Sequence, residues 1–89
     1  MRFSFTPQTA RDLKRIKKKQ PQLFRKIQKQ LSIFGQNYRH PSLRTHKLKG
    51  KLTDYWSISI EGNLRMIYYL RKDEAVFFLI GTHDEVYKR

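Results

Sequence analysis

Phe3 and Phe5 alternate with Arg2, Ser4 and Thr6, the two-residue period of a short strand with one buried face. Thr6-Pro7 then predicts a helix start, because Thr is a good N-cap and proline in the first turn gives up an N–H that has no partner there. Ala10, Leu13 and Ile16 form the inner stripe of this helix. The run Lys14-Arg15-Ile16-Lys17-Lys18-Lys19 closes it with cations, which the negative end of the helix dipole favours. Pro21 opens a second helix, whose Leu23, Phe24, Ile27, Leu31 and Phe34 recur at helical spacing before Gly35 ends it. Gln36 to Ser42 is polar and reads as a loop leading into the segment Leu43 to Gly50.

Beyond that segment the period changes. Tyr55-Trp56-Ser57-Ile58-Ser59-Ile60 alternates, Glu61-Gly62-Asn63 has the residues of a hairpin turn, and Leu64 to Leu70 returns as a strand. Arg71-Lys72-Asp73-Glu74 is a second polar turn, and the unbroken apolar run Ala75 to Ile80 suits a strand buried on both faces. Strand, helix, helix and three-strand meander make an α+β domain, with a two-helix hairpin on one face of a mostly antiparallel sheet and the other face free. The free face is where a site is expected. At 89 residues and 38% hydrophobic content, there is material for one core, so residues 1–89 are read as a single domain.

Charge narrows the function. Twenty Lys and Arg against seven Asp and Glu give a net charge of +13, which favours a polyanion or an acidic protein as partner. The lysine run of the first helix fits either a solvated face or a phosphate contact. The absence of cysteine excludes disulfides, thiolate metal sites and a cysteine nucleophile, and suits a reducing cytoplasm. No apolar run is long enough to cross a bilayer, and the first residues lack the apolar core of a signal peptide, so the mature chain is expected to begin at or near Met1.

The candidate chemistry lies in the second half: His46, Lys47 and Lys49 ahead of Gly50, Arg65 within a strand, and His83 and Tyr87 after the last strand. Arg65 sits between Leu64 and Met66, where a guanidinium is either outward and solvated or held ready for an anion. His83 is ordinary surface unless a cation shares its face; beside one, it is a group that titrates near neutrality next to a phosphate-binding charge. RNA cleavage needs that combination: a base for the ribose 2′-OH, an acid for the 5′-oxygen, and cations for the phosphorane between them. His, Lys, Arg and Tyr can fill every role without a metal or other cofactor, and no carboxylate cluster supports a metal route. Trp56 and Tyr68 are assigned to structure, leaving Tyr87 as the aromatic available to stack on a base.

Leu48-Lys49-Gly50-Lys51-Leu52, Tyr55-Trp56-Ser57, Leu64-Arg65-Met66-Ile67-Tyr68 and Ile80-Gly81-Thr82-His83-Asp84-Glu85-Val86-Tyr87, in that order and spacing, resemble the RelE/ParE toxin superfamily, especially its YoeB and YafQ branches. The resemblance implies a microbial-ribonuclease-like fold and a type II toxin that cleaves messenger RNA in the ribosomal A site. Its partners would be mRNA, the ribosome and an acidic antitoxin that wraps the basic surface. It gives Arg65 the strand arginine's role of stabilising the transition-state phosphate, and His83 that of general acid or base. Tyr87 becomes the terminal aromatic that contacts RNA, and His46 the loop histidine of YafQ-like members. Lys47, Lys49 and Lys51 fall in the basic segment around the scissile phosphate.

The chain also departs from its relatives. Lys51 stands where YoeB-like toxins carry a catalytic glutamate, and Ser59 and Asn63 stand where YafQ-like toxins place a further His and Asp. His46 is therefore the first choice of general base, with Lys49 as the alternative if neighbouring cations and desolvation lower its pKa. Two other readings remain open: a ParE-like toxin directed at DNA gyrase, and a basic RNA-binding module without catalysis.

Overall fold

The computed structural model describes residues 1–48 and 54–82. β1 (Arg2–Phe5) leads into α1 (Pro7–Lys19) and α2 (Pro21–Gln36). A short 3-10 turn (Pro41–Leu43) and β2 (His46–Lys47) follow, then β3 (Tyr55–Glu61), β4 (Leu64–Arg71) and β5 (Glu74–Thr82). The five strands form one sheet in the order β1-β5-β4-β3-β2. β3, β4 and β5 make an antiparallel meander, β2 adds to it antiparallel at one edge, and β1 runs parallel to β5 at the other.

Local chemistry sets the boundaries. Thr6 caps α1, its Oγ1 accepting from the Thr9 N–H at 3.3 Å, with Pro7 in the first turn. Lys17, Lys18 and Lys19 occupy the last turn of α1. α2 does not end at Gly35: it runs to Gln36, with Asn37 as its C-cap. A Cβ on Gly35 would lie 3.4 Å from the Phe3 ring, and the Met1 ammonium donates to the Gly35 carbonyl at 3.0 Å, so β1 is seated against the end of α2. The hairpin turns are two residues each, and Gly62 (φ 49°) and Lys72 (φ 57°) take the left-handed conformation such tight turns need.

Leu13, Ile27, Leu31 and Phe34 of the helices meet Ile58, Ile60, Met66, Tyr68, Ala75 and Phe77 of the sheet in the main core. Phe34 sits at its centre, with the Tyr68 and Phe77 rings edge-on at 5.1 and 5.2 Å. Trp56 and Tyr68 both belong to this side, as structural residues. The face away from the helices is not bare. Leu48 and Ile67 are buried there with Tyr55, Phe78 and Leu79 around them, so a second, smaller apolar cluster occupies part of the surface expected to be free.

A candidate site around Arg65

Strand alternation puts Arg65 on the face away from the helices, because its neighbour Met66 points into the core. Across β3 it pairs with Ser59, and two residues back along that strand Ser57 lies on the same face. Arg65 is not solvated: only 8% of it is exposed. Its Nε donates to Ser57 Oγ at 2.9 Å, and one terminal nitrogen donates to the Arg44 carbonyl oxygen at 3.1 Å. Among the described residues no carboxylate pairs with it; the ion pairs of Asp12, Glu61, Asp73 and Glu74 are to Arg15, Lys26, Arg2 and Arg71. The charge is thus held by neutral acceptors, with guanidinium N–H groups to spare for an anion.

His46 comes to the same place through β2. It pairs with Ser57 in the sheet register, and its Nδ1 lies 3.1 Å from the same Arg44 carbonyl that anchors Arg65. A carbonyl oxygen can only accept, so this contact is a hydrogen bond when Nδ1 carries the proton. One backbone oxygen therefore aligns both the cation and the imidazole. Ser57 and Arg44 carry this arrangement, and neither stands out in the sequence; only the alternation that puts Ser57 two residues from Ser59 could have pointed to the serine.

The Arg44 carbonyl is positioned at a local cost. His40 caps the 3-10 turn, its Nδ1 accepting from the Ser42 N–H at 3.1 Å. Arg44 ends that turn in the left-handed conformation (φ 45°, ψ 46°), which is unfavourable for a residue with a Cβ. The next hydroxyl, Thr45 Oγ1, is buried with no hydrogen-bond partner among the described residues. Gln30, buried on α2, steadies the segment: its Nε2 donates to the Ser59 carbonyl at 2.9 Å and to the Ser42 carbonyl at 3.2 Å. Local costs of this sort are found where an arrangement is kept for a task other than stability.

Lys47 does not join the group. The residue after His46 points to the opposite face, where it pairs with Trp56 and holds its ammonium 5.7 Å from the indole ring. Proximity along the chain suggests that His46 and Lys47 act together; the pleat of the strand separates them. Lys49, Lys51, His83 and Tyr87 lie outside the described residues. Among the described residues, no three His, Asp or Glu side chains gather closely enough to hold a metal ion, and no helix is long and apolar enough to cross a membrane.

On the helix side of the same Arg44–Thr45 segment lies a cavity of about 570 Å³, lined by Met1, Tyr38, Pro41, Trp56, Tyr68 and Leu70, with Arg39, His40 and Arg44 among its walls. Burial pushes the Tyr68 hydroxyl up to about 12, helped by the neighbouring Tyr38.

Residues 1–88 match the family described as the bacterial toxin of type II toxin-antitoxin system, YafQ. Solved structures agree on the fold. The YoeB/ParE toxin from Agrobacterium tumefaciens superposes with a TM-score of 0.78 at 18% identity, covering 93% of this chain and 99% of that one. The YoeB-YefM complex from Staphylococcus aureus gives 0.76 at 24% identity, over 93% and 97%. The E. coli DinJ-YafQ complex gives 0.75 at 20% identity, over 98% and 99%. No curated protein sequence is similar enough to the chain to count as a match.

Proposed function

The chain belongs to the YafQ family of bacterial toxins of type II toxin–antitoxin systems, and on that premise we propose that it is a metal-independent endoribonuclease that cleaves messenger RNA in the ribosomal A site and so blocks translation. The observation that carries this reading is the buried Arg65, pre-oriented by Ser57 and sharing the Arg44 carbonyl with His46. A guanidinium fixed in place before substrate arrives loses little on binding a phosphate and is strongest where water is excluded.

In this mechanism His46 takes the proton of a ribose 2′-OH as that oxygen bonds to the adjacent phosphorus. Arg65 bonds the non-bridging oxygens as charge accumulates on the phosphorane. The bond from phosphorus to the 5′-oxygen then breaks, and His83 donates the proton that leaves a 5′-hydroxyl beside a 2′,3′-cyclic phosphate. Tyr87 stacks on a base next to the cut, and Lys49 and Lys51 draw the polyanion toward the site. The physiological partner that restrains the toxin is an acidic antitoxin, and the compartment is the cytoplasm. The relatives solved as YoeB-YefM and DinJ-YafQ complexes support this pairing.

The test is induced expression in a bacterial host of the wild type, His46→Ala and His83→Ala, with transcript 5′ ends mapped with and without translation blocked. New codon-phased ends are expected, absent when translation is blocked. Each substitution is expected to slow cleavage about a hundredfold or more, on general acid–base magnitudes. Growth arrest with intact transcripts would overturn the reading and direct attention to gyrase, while binding without cleavage would make the chain an RNA-binding module.

A further inference from the structure

Among the described residues, Tyr38 and Leu70 are the only large apolar side chains exposed, at 36% and 47%, and both line the same cavity on the helix side of the sheet. Exposed apolar residues scattered singly mean little, but a pair facing one concavity floored by Trp56 and Tyr68 is a recess shaped for a partner. Among the described residues the cavity wall carries two guanidinium groups and no acid: Arg39, which lies 5.4 Å from the Tyr38 ring, and Arg44. At about 570 Å³ it has room for more than one bulky side chain. Because Trp56 and Tyr68 alternate with Ser57 and Ile67 along their strands, this recess opens on the face opposite Arg65.

We propose that this recess is the anchoring site of the acidic antitoxin, which seats bulky apolar side chains between Tyr38 and Leu70 and sets its carboxylates against Arg39 and Arg44. The inference rests on the toxin–antitoxin reading above and adds the surface to it. Charge complementarity selects the occupant. A second copy of a chain with net charge +13 would bring like charge to a cationic rim, whereas an acidic segment neutralises it. The apolar floor supplies affinity and the rim supplies orientation and a fast encounter. The anchor also bears on Arg44, whose carbonyl fixes Arg65 and His46, so a partner held here reaches the site from behind.

Leu70→Asp and Arg39→Glu, both at the rim, are titrated calorimetrically with the purified cognate antitoxin, after circular dichroism has verified the fold. Each is expected to weaken binding about tenfold or more, on the scale of interface anchors. In a host co-expressing the antitoxin, Leu70→Asp should still arrest growth where the wild type is restrained. A second measurement needs no surface variant: the single tryptophan, Trp56, lines the recess, so 5-fluorotryptophan in the wild-type chain should shift its fluorine resonance when the unlabelled antitoxin binds. Affinities within twofold of wild type together with an unmoved resonance would overturn the assignment. So would a dimer of the toxin alone that Leu70→Asp dissolves, since the recess would then belong to a second copy. Failure of the ribonuclease reading looks different: cleavage would be missing from wild type and variants alike, while the binding loss would still be measured.

Discussion

On the helix side of the sheet, Ile58, Met66, Tyr68 and Phe77 meet the helices in a continuous apolar layer, whereas one residue further along the same strands the other face carries Ser57, Ser59 and Arg65 beside a small cluster around Ile67. Both faces are largely dry, yet they solve burial differently. The first face removes polar groups; the second keeps a cation and satisfies it with a hydroxyl and a carbonyl. The first arrangement is stabilised by all the apolar surface it withdraws from water, and the second sacrifices solvation of a full charge for a fixed direction. What the difference teaches is that stability and chemistry are divided by strand parity, so that a change on one face should leave the other's property nearly intact.

The largest effect that would break this division is on the core face. Phe34→Ala removes a fully buried ring packed against Phe3, Tyr68 and Phe77, and is expected to cost about 3–5 kcal/mol of stability in urea denaturation. The folded fraction should still cleave RNA at close to the wild-type rate. A loss of rate beyond the loss of folded protein would mean that the two faces are coupled.

The complementary substitution is Arg65→Met. It removes a buried cation that no carboxylate neutralises among the described residues, and fills the space with an apolar chain of similar length. Cleavage is expected to fall about a hundredfold or more, because the phosphorane loses its fixed donor. Stability should hold within about 1 kcal/mol or rise, as for other buried charges exchanged for apolar groups. If this variant unfolds instead, Arg65 belongs to the structure and the proposed site loses its centre.

These two positions were not equally legible in the sequence. The helical stripe that ends in Phe34 and the alternation of Tyr55 to Ile60 declare the core directly, since periodicity is a property of neighbouring residues. Arg65 could be placed in a strand but not assigned a state, because solvated and anchored guanidiniums look alike until the partners are known. Those partners are a serine eight residues away and a carbonyl twenty-one residues away. Backbone oxygens have no signature in sequence, and nothing in Arg44 announces a left-handed residue, so the element that aligns Arg65 with His46 was invisible. The two-residue β2 was equally hidden. It is too short to show a period, and its parity is what separates Lys47 from His46. Gly35 misled for a related reason: glycine favours helix ends only as a tendency, and here the helix runs one residue past it to an Asn37 cap.

Ser57→Ala sharpens the comparison with a smaller change. It leaves Arg65 in place but removes the Nε acceptor, so the guanidinium keeps one of its two anchors. A hydrogen bond to a charged group is worth about 1.5–3 kcal/mol, and loss of alignment at the low end of that scale is expected to slow cleavage about tenfold. Single-turnover kinetics on a short RNA measures it. A rate equal to wild type would show that the Arg44 carbonyl suffices alone.

The smallest effect concerns pH on the core face, where burial displaces the pKa of Tyr68. In the unfolded chain its hydroxyl ionises near 10.0, while in the folded protein burial holds the proton until about 12. The folded state therefore binds the proton more tightly, and its advantage is complete below pH 10.0 and declines as the pH rises from there toward about 12. Tyr68→Phe, which cannot ionise, should flatten that decline, at the cost only of the hydroxyl's contacts. Comparing the pH dependence of urea midpoints for the two proteins, with phenolate absorbance as the titration signal, isolates this residue from the other four tyrosines. A parallel decline in both would place the alkaline loss elsewhere. It would also mean that the recess floored by Tyr68 admits water readily, so that less of an apolar anchor's affinity could come from drying it.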